Sequence, residues 1–162
     1  MSNWDIWADK NPCALAARGG HWEVLKWALD NGCPWHAKGY VLERAARRGH
    51  GEVLNWAREH VHKWGDGCMC DHAARGGHLE VLKWARAHDC RWDAQTCVFA
   101  AAGGHLEVLQ WARANGCPWD PRSTCAHAAA GGHLEVLRWA REHGCEWDES
   151  SRDLADNLQL SD

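Results

Sequence analysis

From Leu134 to Glu142 the chain is apolar except at Glu135, Arg138, Arg141 and Glu142. Those positions lie three or four residues apart, so they share one face of a helix, and the apolar remainder predicts burial between neighbouring elements. Nearly the same text occurs five times: HWEVLKWA, HGEVLNWA, HLEVLKWA, HLEVLQWA and HLEVLRWA. Before each copy stands an Ala-Ala pair, which predicts a short first helix. In the last copy it runs over Cys125–Ala130 and is broken by Gly131-Gly132. Asn31, His60, His88, Asn115 and His143 follow the second helices, with Gly32, Gly116 and Gly144 next in three of them. Asn and His tolerate the left-handed conformation, so the sequence predicts that they end each helix in it.

The Gly-His step places its histidine at 21, 50, 78, 105 and 133, a period of 27 to 29 residues. Such a period predicts an all-α helical solenoid of about five helix-turn-helix repeats with short loops. The expected boundaries are a half-repeat over 1–11, repeats over about 12–38, 39–67, 68–94, 95–122 and 123–148, and a capping helix over 149–160. Small Ala side chains let successive first helices approach closely. Two tryptophan columns, Trp27/56/84/111/139 and Trp35/64/92/119/147, are expected to fill the wider side as core. Trp7 belongs to the second column within the first half-repeat.

Composition narrows the function. A net charge of −4 argues against a general nucleic-acid or anionic-membrane surface. No stretch is long and apolar enough to span a bilayer, and the first residues do not read as a secretory signal. The nine cysteines are therefore expected to be reduced thiols in a cytoplasmic chain. No nucleophile elbow, phosphate loop, zinc-protease helix or internal carboxylate cluster is present, so the expectation is no enzyme and no cofactor. The Glu23/52/80/107/135 column falls on the polar stripe and pairs with Lys26, Lys83 and Arg138 three residues on, as a solvated face.

The stretch from Ser123 to Leu137, STCAHAAAGGHLEVL, resembles the ankyrin repeat, whose pattern runs T-P-L-H-x-A-A-x-x-G-H-x-x-V-V. Leu42, Ala45, Ala46, Gly49 and His50 match in the second repeat, and the resemblance covers roughly residues 8–155. The short Trp- and Cys-rich form is similar to ankyrin-like repeats of giant DNA viruses and of some algae and oomycetes. The resemblance implies stacked antiparallel helix pairs, a structural role for the Gly-His histidine between units, and a non-catalytic scaffold or adaptor. Its implied ligand is a protein, a host protein in the viral case, bound by a monomer on the concave face. These units have about 28 residues against the usual 33, so the β-hairpin fingers are expected to be short or absent.

One segment invites a different reading. Residues 60–72, HVHKWGDGCMCDH, gather five histidines and cysteines at spacings suited to zinc. In register, however, they align without gaps on 115–127, and only Cys68 has no counterpart. His62, Cys68, Cys70 and His72 stay as candidate ligands of a zinc-stabilised repeat, against the leading expectation of no metal. The cysteines form two columns, Cys33/His62/Cys90/Cys117/Cys145 and Cys13/Leu42/Cys70/Cys97/Cys125. Leu42 marks the second as a core position, since cysteine behaves as a small hydrophobe. For the first column, core filling leads and ligation stays open. Across one loop Cys117 and Cys125 provide two ligands, too few for a structural zinc site.

Columns that vary are candidates for recognition. Just before each Gly-His step stand Arg18, Arg47 with Arg48, Arg75, Ala102 and Ala130; one turn earlier stand Leu15, Arg44, His72, Phe99 and His127. The expected partner surface is Arg18, Arg44, Arg47, Arg48, Arg75, His72, Phe99 and His127, tempered by Glu43 and Asp71 through i,i+4 pairs with Arg47 and Arg75. A nucleic-acid ligand for this arginine patch is the remaining alternative.

Overall fold

The computed structural model describes residues 12–32, 38–60 and 69–145. The expected half-repeat over 1–11, the capping helix over 149–160, and Cys33, Trp35, His62, Trp64, Cys68 and Trp147 lie outside the described residues. Five helix pairs follow one another: α1 (Pro12–Gly19) and α2 (Trp22–Asp30), α3 (Lys38–Arg48) and α4 (Gly51–His60), α5 (Met69–Gly76) and α6 (Leu79–Ala87), α7 (Ala94–Ala102) and α8 (Leu106–Ala114), α9 (Pro121–Ala130) and α10 (Leu134–Glu142). The fold is all-α, a helical repeat solenoid, and the described residues contain no strand.

First helices stack on first helices along their length, whereas successive second helices meet only sparsely. The alanine pairs explain the difference. Ala17, Ala45, Ala46, Ala73, Ala74, Ala100, Ala101 and Ala128 are fully buried where one first helix lies on the next. Each second helix sends one leucine inward (Leu25, Leu54, Leu82, Leu109 and Leu137), and all five are sealed from solvent. A large aliphatic side chain so placed contributes ~2–3 kcal/mol of transfer free energy.

The tryptophans depart from expectation. Trp56, Trp84, Trp111 and Trp139 are half-buried and pack on the outside of the core, and Trp27 is 66% exposed. The indole is too large for the gap that Leu and Val already fill. It lies over the seam between repeats instead, where Trp92 meets Trp111 and Trp119 meets Trp139 edge to face at 5.9 and 5.7 Å.

Helix ends also differ in detail. Asn31, His88, Asn115 and His143 keep negative φ. The left-handed residue is the next one: Gly32, Asp89, Gly116 or Gly144. What Asn and His supply is a side-chain donor aimed one turn back. Asn31 and Asn115 donate Nδ2–H to the carbonyls of Trp27 and Trp111 at 2.8 Å. His60, His88 and His143 donate Nδ1–H to those of Trp56, Trp84 and Trp139 at 2.8, 2.7 and 2.7 Å. The Trp27 and Trp111 carbonyls also accept the Asn31 and Asn115 amides, so the side chain adds a second bond there, and the three imidazoles lie against the same tryptophans. At helix starts, Asp93 and Asp120 accept from the Gln95 and Arg122 amides, the usual N-cap arrangement.

Candidate functional site

The Gly-His step builds the spine of the site. His50, His78, His105 and His133 each donate Nε2–H to a main-chain carbonyl of the preceding repeat: Arg18, Arg47, Arg75 and Ala102, at 2.9, 3.0, 3.2 and 3.0 Å. A carbonyl can only accept, which fixes Nε2 as the protonated nitrogen. The glycines make room for the rings. A Cβ on Gly76 would strike the Arg47 carbonyl oxygen and come within 2.6 Å of the His78 ring. Gly77 adopts φ +75°, and a Cβ there would stand 2.5 Å from His105 Nδ1. Burial holds His78 below its ordinary value of 6.5, which outweighs the opposing effect of its bond to Arg47.

Three arginines share these anchored positions. Arg18, Arg47 and Arg75 are exposed at the last turns of α1, α3 and α5, a favourable place for cations beside the helix dipole. Arg48 is exposed beside Arg47, and Arg44 is half-buried one turn earlier. On α5 the His72 ring meets Glu43 of α3 at 3.5 Å. Burial lowers the His72 pKa, with Glu43 acting in the opposite sense. The Arg75 guanidinium lies 5.3 Å from the centre of the half-buried Phe99 ring, so cation and aromatic form one contact across α5 and α7. His127 is exposed on α9 and donates Nδ1–H to the Ser123 carbonyl at 2.8 Å. Leu15, in the same column on α1, is 48% exposed.

Asp71 lies deeper than expected, although its charge still acts on His72. It is 9% exposed, and its Oδ1 accepts from the fully buried Thr96 hydroxyl at 2.5 Å. The carboxylate points across the repeat boundary because position 71 sits on the face of α5 that meets α7, opposite the face that carries His72.

The zinc candidates separate in the same way. Cys70 is fully buried and its thiol faces Cys90, while His72, two residues on, turns to Glu43. Among the described residues no three His, Cys, Asp or Glu side chains are grouped to hold a metal.

Sequence reasoning missed the pairing of the cysteines. It weighed Cys117 with Cys125 across a loop, but contacts run across each helix pair. Cys70 Sγ–H donates to the Cys90 carbonyl at 3.8 Å and Cys117 Sγ–H to the Asp93 carbonyl at 3.3 Å, and each thiol lies beside its partner cysteine, Cys90 or Cys97. Cys125 and Cys145 are joined as a disulfide, contrary to the expectation of thiols throughout. The interaction with the partner cysteine's side chain is the main cause that pushes the Cys70 and Cys117 thiols up and brings Cys90 down to about 7 and Cys97 below its usual value. Arg86 and Arg113 donate to the carbonyls of Cys90 and Cys117 and lie over Trp92 and Trp119, at 4.3 and 5.1 Å from the ring centres. The missed signal was the constant separation of the two columns and their joint change to Leu42 and His62 in the second repeat.

No helix of the described residues is long and apolar enough to cross a membrane. No curated protein matches the chain. Residues 70–113, from Cys70 in α5 to Arg113 in α8, match the family of ankyrin repeats (many copies), and the helix pairs on either side repeat the pattern of that segment.

Proposed function

We propose that the chain is a non-catalytic protein-binding scaffold whose first-helix face, the concave one, receives a protein partner. The observation that carries this is the row of exposed Arg18, Arg47 and Arg75 side chains, whose main chains are anchored by the next repeat's histidine. Ankyrin repeats are generally protein–protein interaction modules, which fits the matched segment. The contact residues are Arg18, Arg44, Arg47, Arg48, Arg75, His72, Phe99 and His127. The N-terminal half of this face is cationic and suits an acidic segment; around Phe99 and Ala102 it is flatter and more apolar. The protein acts as a monomer in the cytoplasm, on a host protein if its origin is viral.

The test uses full-length protein as bait, comparing the parent with Arg47→Glu/Arg75→Glu. Both side chains are exposed, so the variant should keep its stability to within ~0.5 kcal/mol. Loss of the parent's specific partners is the expected result, and an unchanged set of captured proteins refutes the assigned face.

A further inference from the structure

Three described repeats hold two cysteines against each other, and the separation is 20 residues where the bond is closed. Cys125–Cys145 is a disulfide, while Cys70 with Cys90 and Cys97 with Cys117 are dithiols in the equivalent place. The second repeat carries Leu42 and His62 at the two positions, so it lacks both cysteines rather than one. Two independent core fillers have no reason to change together, but two halves of one bond do. We propose that Cys70–Cys90 and Cys97–Cys117 are redox sites, each closing to an intra-repeat disulfide by exchange with a low-molecular-weight disulfide such as oxidised glutathione.

The geometry assigns the order of events. Cys90 is half-buried at the start of the loop after α6, whereas Cys70 is sealed inside α5. The Cys90 thiolate attacks one sulfur of the small disulfide, forms a mixed disulfide and expels one thiolate. The Cys90 side chain and burial together had kept Cys70 protonated. Cys70, which lies beside Cys90, then gives up its proton to solvent and attacks Cys90 Sγ, expelling the second small thiolate. The protein dithiol loses two electrons and two protons, and the small disulfide gains both to become two thiols. At Cys97–Cys117 the roles run the other way along the chain, with Cys97 as attacker and Cys117 holding the proton. Both sulfurs there are fully buried, so the reagent enters only when the repeat opens locally. Each closure ties a first helix to the loop that leaves its own second helix, so the rest of the first helix and all of the second lie inside the ring.

The full chain is incubated in glutathione buffers of rising oxidised fraction, quenched with acid, alkylated and digested without reduction. Peptides linking Cys70 to Cys90 and Cys97 to Cys117 are expected, the first forming at least ~10-fold faster because thiolate character and access coincide at Cys90. Cys70→Ser, which keeps a hydroxyl donor, should accumulate a glutathione adduct at Cys90 that the parent resolves. The proposal is overturned if both pairs stay as thiols, if the parent stops at mixed disulfides, or if the links run across loops as Cys90–Cys97 and Cys117–Cys125. The parent's peptide map decides among these results without any variant.

Discussion

His78→Ala isolates the bond between repeats. His78 donates to the Arg47 carbonyl at 3.0 Å, and its ring fills the space between Gly49 and Gly76. A net hydrogen bond of this kind contributes ~1 kcal/mol, and because the bond is exposed the Arg47 carbonyl can turn to water when its donor is lost. Loss of ring packing adds to this, so the expected destabilisation is about 1–2 kcal/mol. Urea unfolding followed by tryptophan fluorescence measures it, since Trp84 and Trp111 lie at the seams that open. Glu80→Ala is the control: its pair with Lys83, 2.7 Å long, is exposed, and such pairs contribute ~0–1 kcal/mol. His78→Gln keeps a donor but not the ring and should fall between the two. Histidine nitrogen NMR should show the Nε2–H tautomer at 50, 78, 105 and 133. A His78→Ala loss no larger than that of Glu80→Ala, or an Nδ1–H tautomer at these positions, refutes the interpretation.

Other outcomes follow from the same contacts. Asp71→Ala should cost ~1–3 kcal/mol because Thr96 keeps a buried hydroxyl without its acceptor, and Asp71→Ala/Thr96→Val should recover part of that loss in a double-mutant cycle; strict additivity would refute the coupling. Stability should fall as pH drops below about 6.5, since His72 and His78 have folded pKa values below the ordinary one and the unfolded chain takes up protons first. His78→Gln should flatten that slope in urea midpoints measured between about pH 7.5 and 5.5, and an unchanged slope would count against it. His88→Ala removes the donor to the Trp84 carbonyl and should cost ~1 kcal/mol; a neutral result would mean that water satisfies that carbonyl equally well.

The repeat itself was legible in the sequence. Ala-Ala, Gly-His and the apolar stripe each encode a local preference, and five copies make the period plain. Arg18, Arg47 and Arg75 were also legible as exposed, because a charged side chain in the last turn before Gly has no room inward. Depth was harder to read. Hydrophobicity ranks tryptophan with leucine, but the inter-helix gap accepts Leu82 and leaves Trp84 at the seam. Asp71 was misplaced because composition marks aspartate as a surface residue, and only the neighbouring repeat supplies the Thr96 hydroxyl that keeps it inside. Cysteine pairing was hidden for a related reason. Residues 20 apart meet only after two helices have folded antiparallel, which no single-element pattern encodes.

The bond from each Gly-His histidine is received by a main-chain oxygen, so it is indifferent to the side chain at that residue. His105 holds Arg75 and His133 holds Ala102 by the same contact, 3.2 and 3.0 Å long. Geometry and message are thus written in separate atoms of one residue. The carbonyl keeps the repeats in step whatever side chain the residue carries. On the proposed face, substitutions at positions 18, 47, 75 and 102 are expected to change partner preference one residue at a time, like type set in a fixed frame.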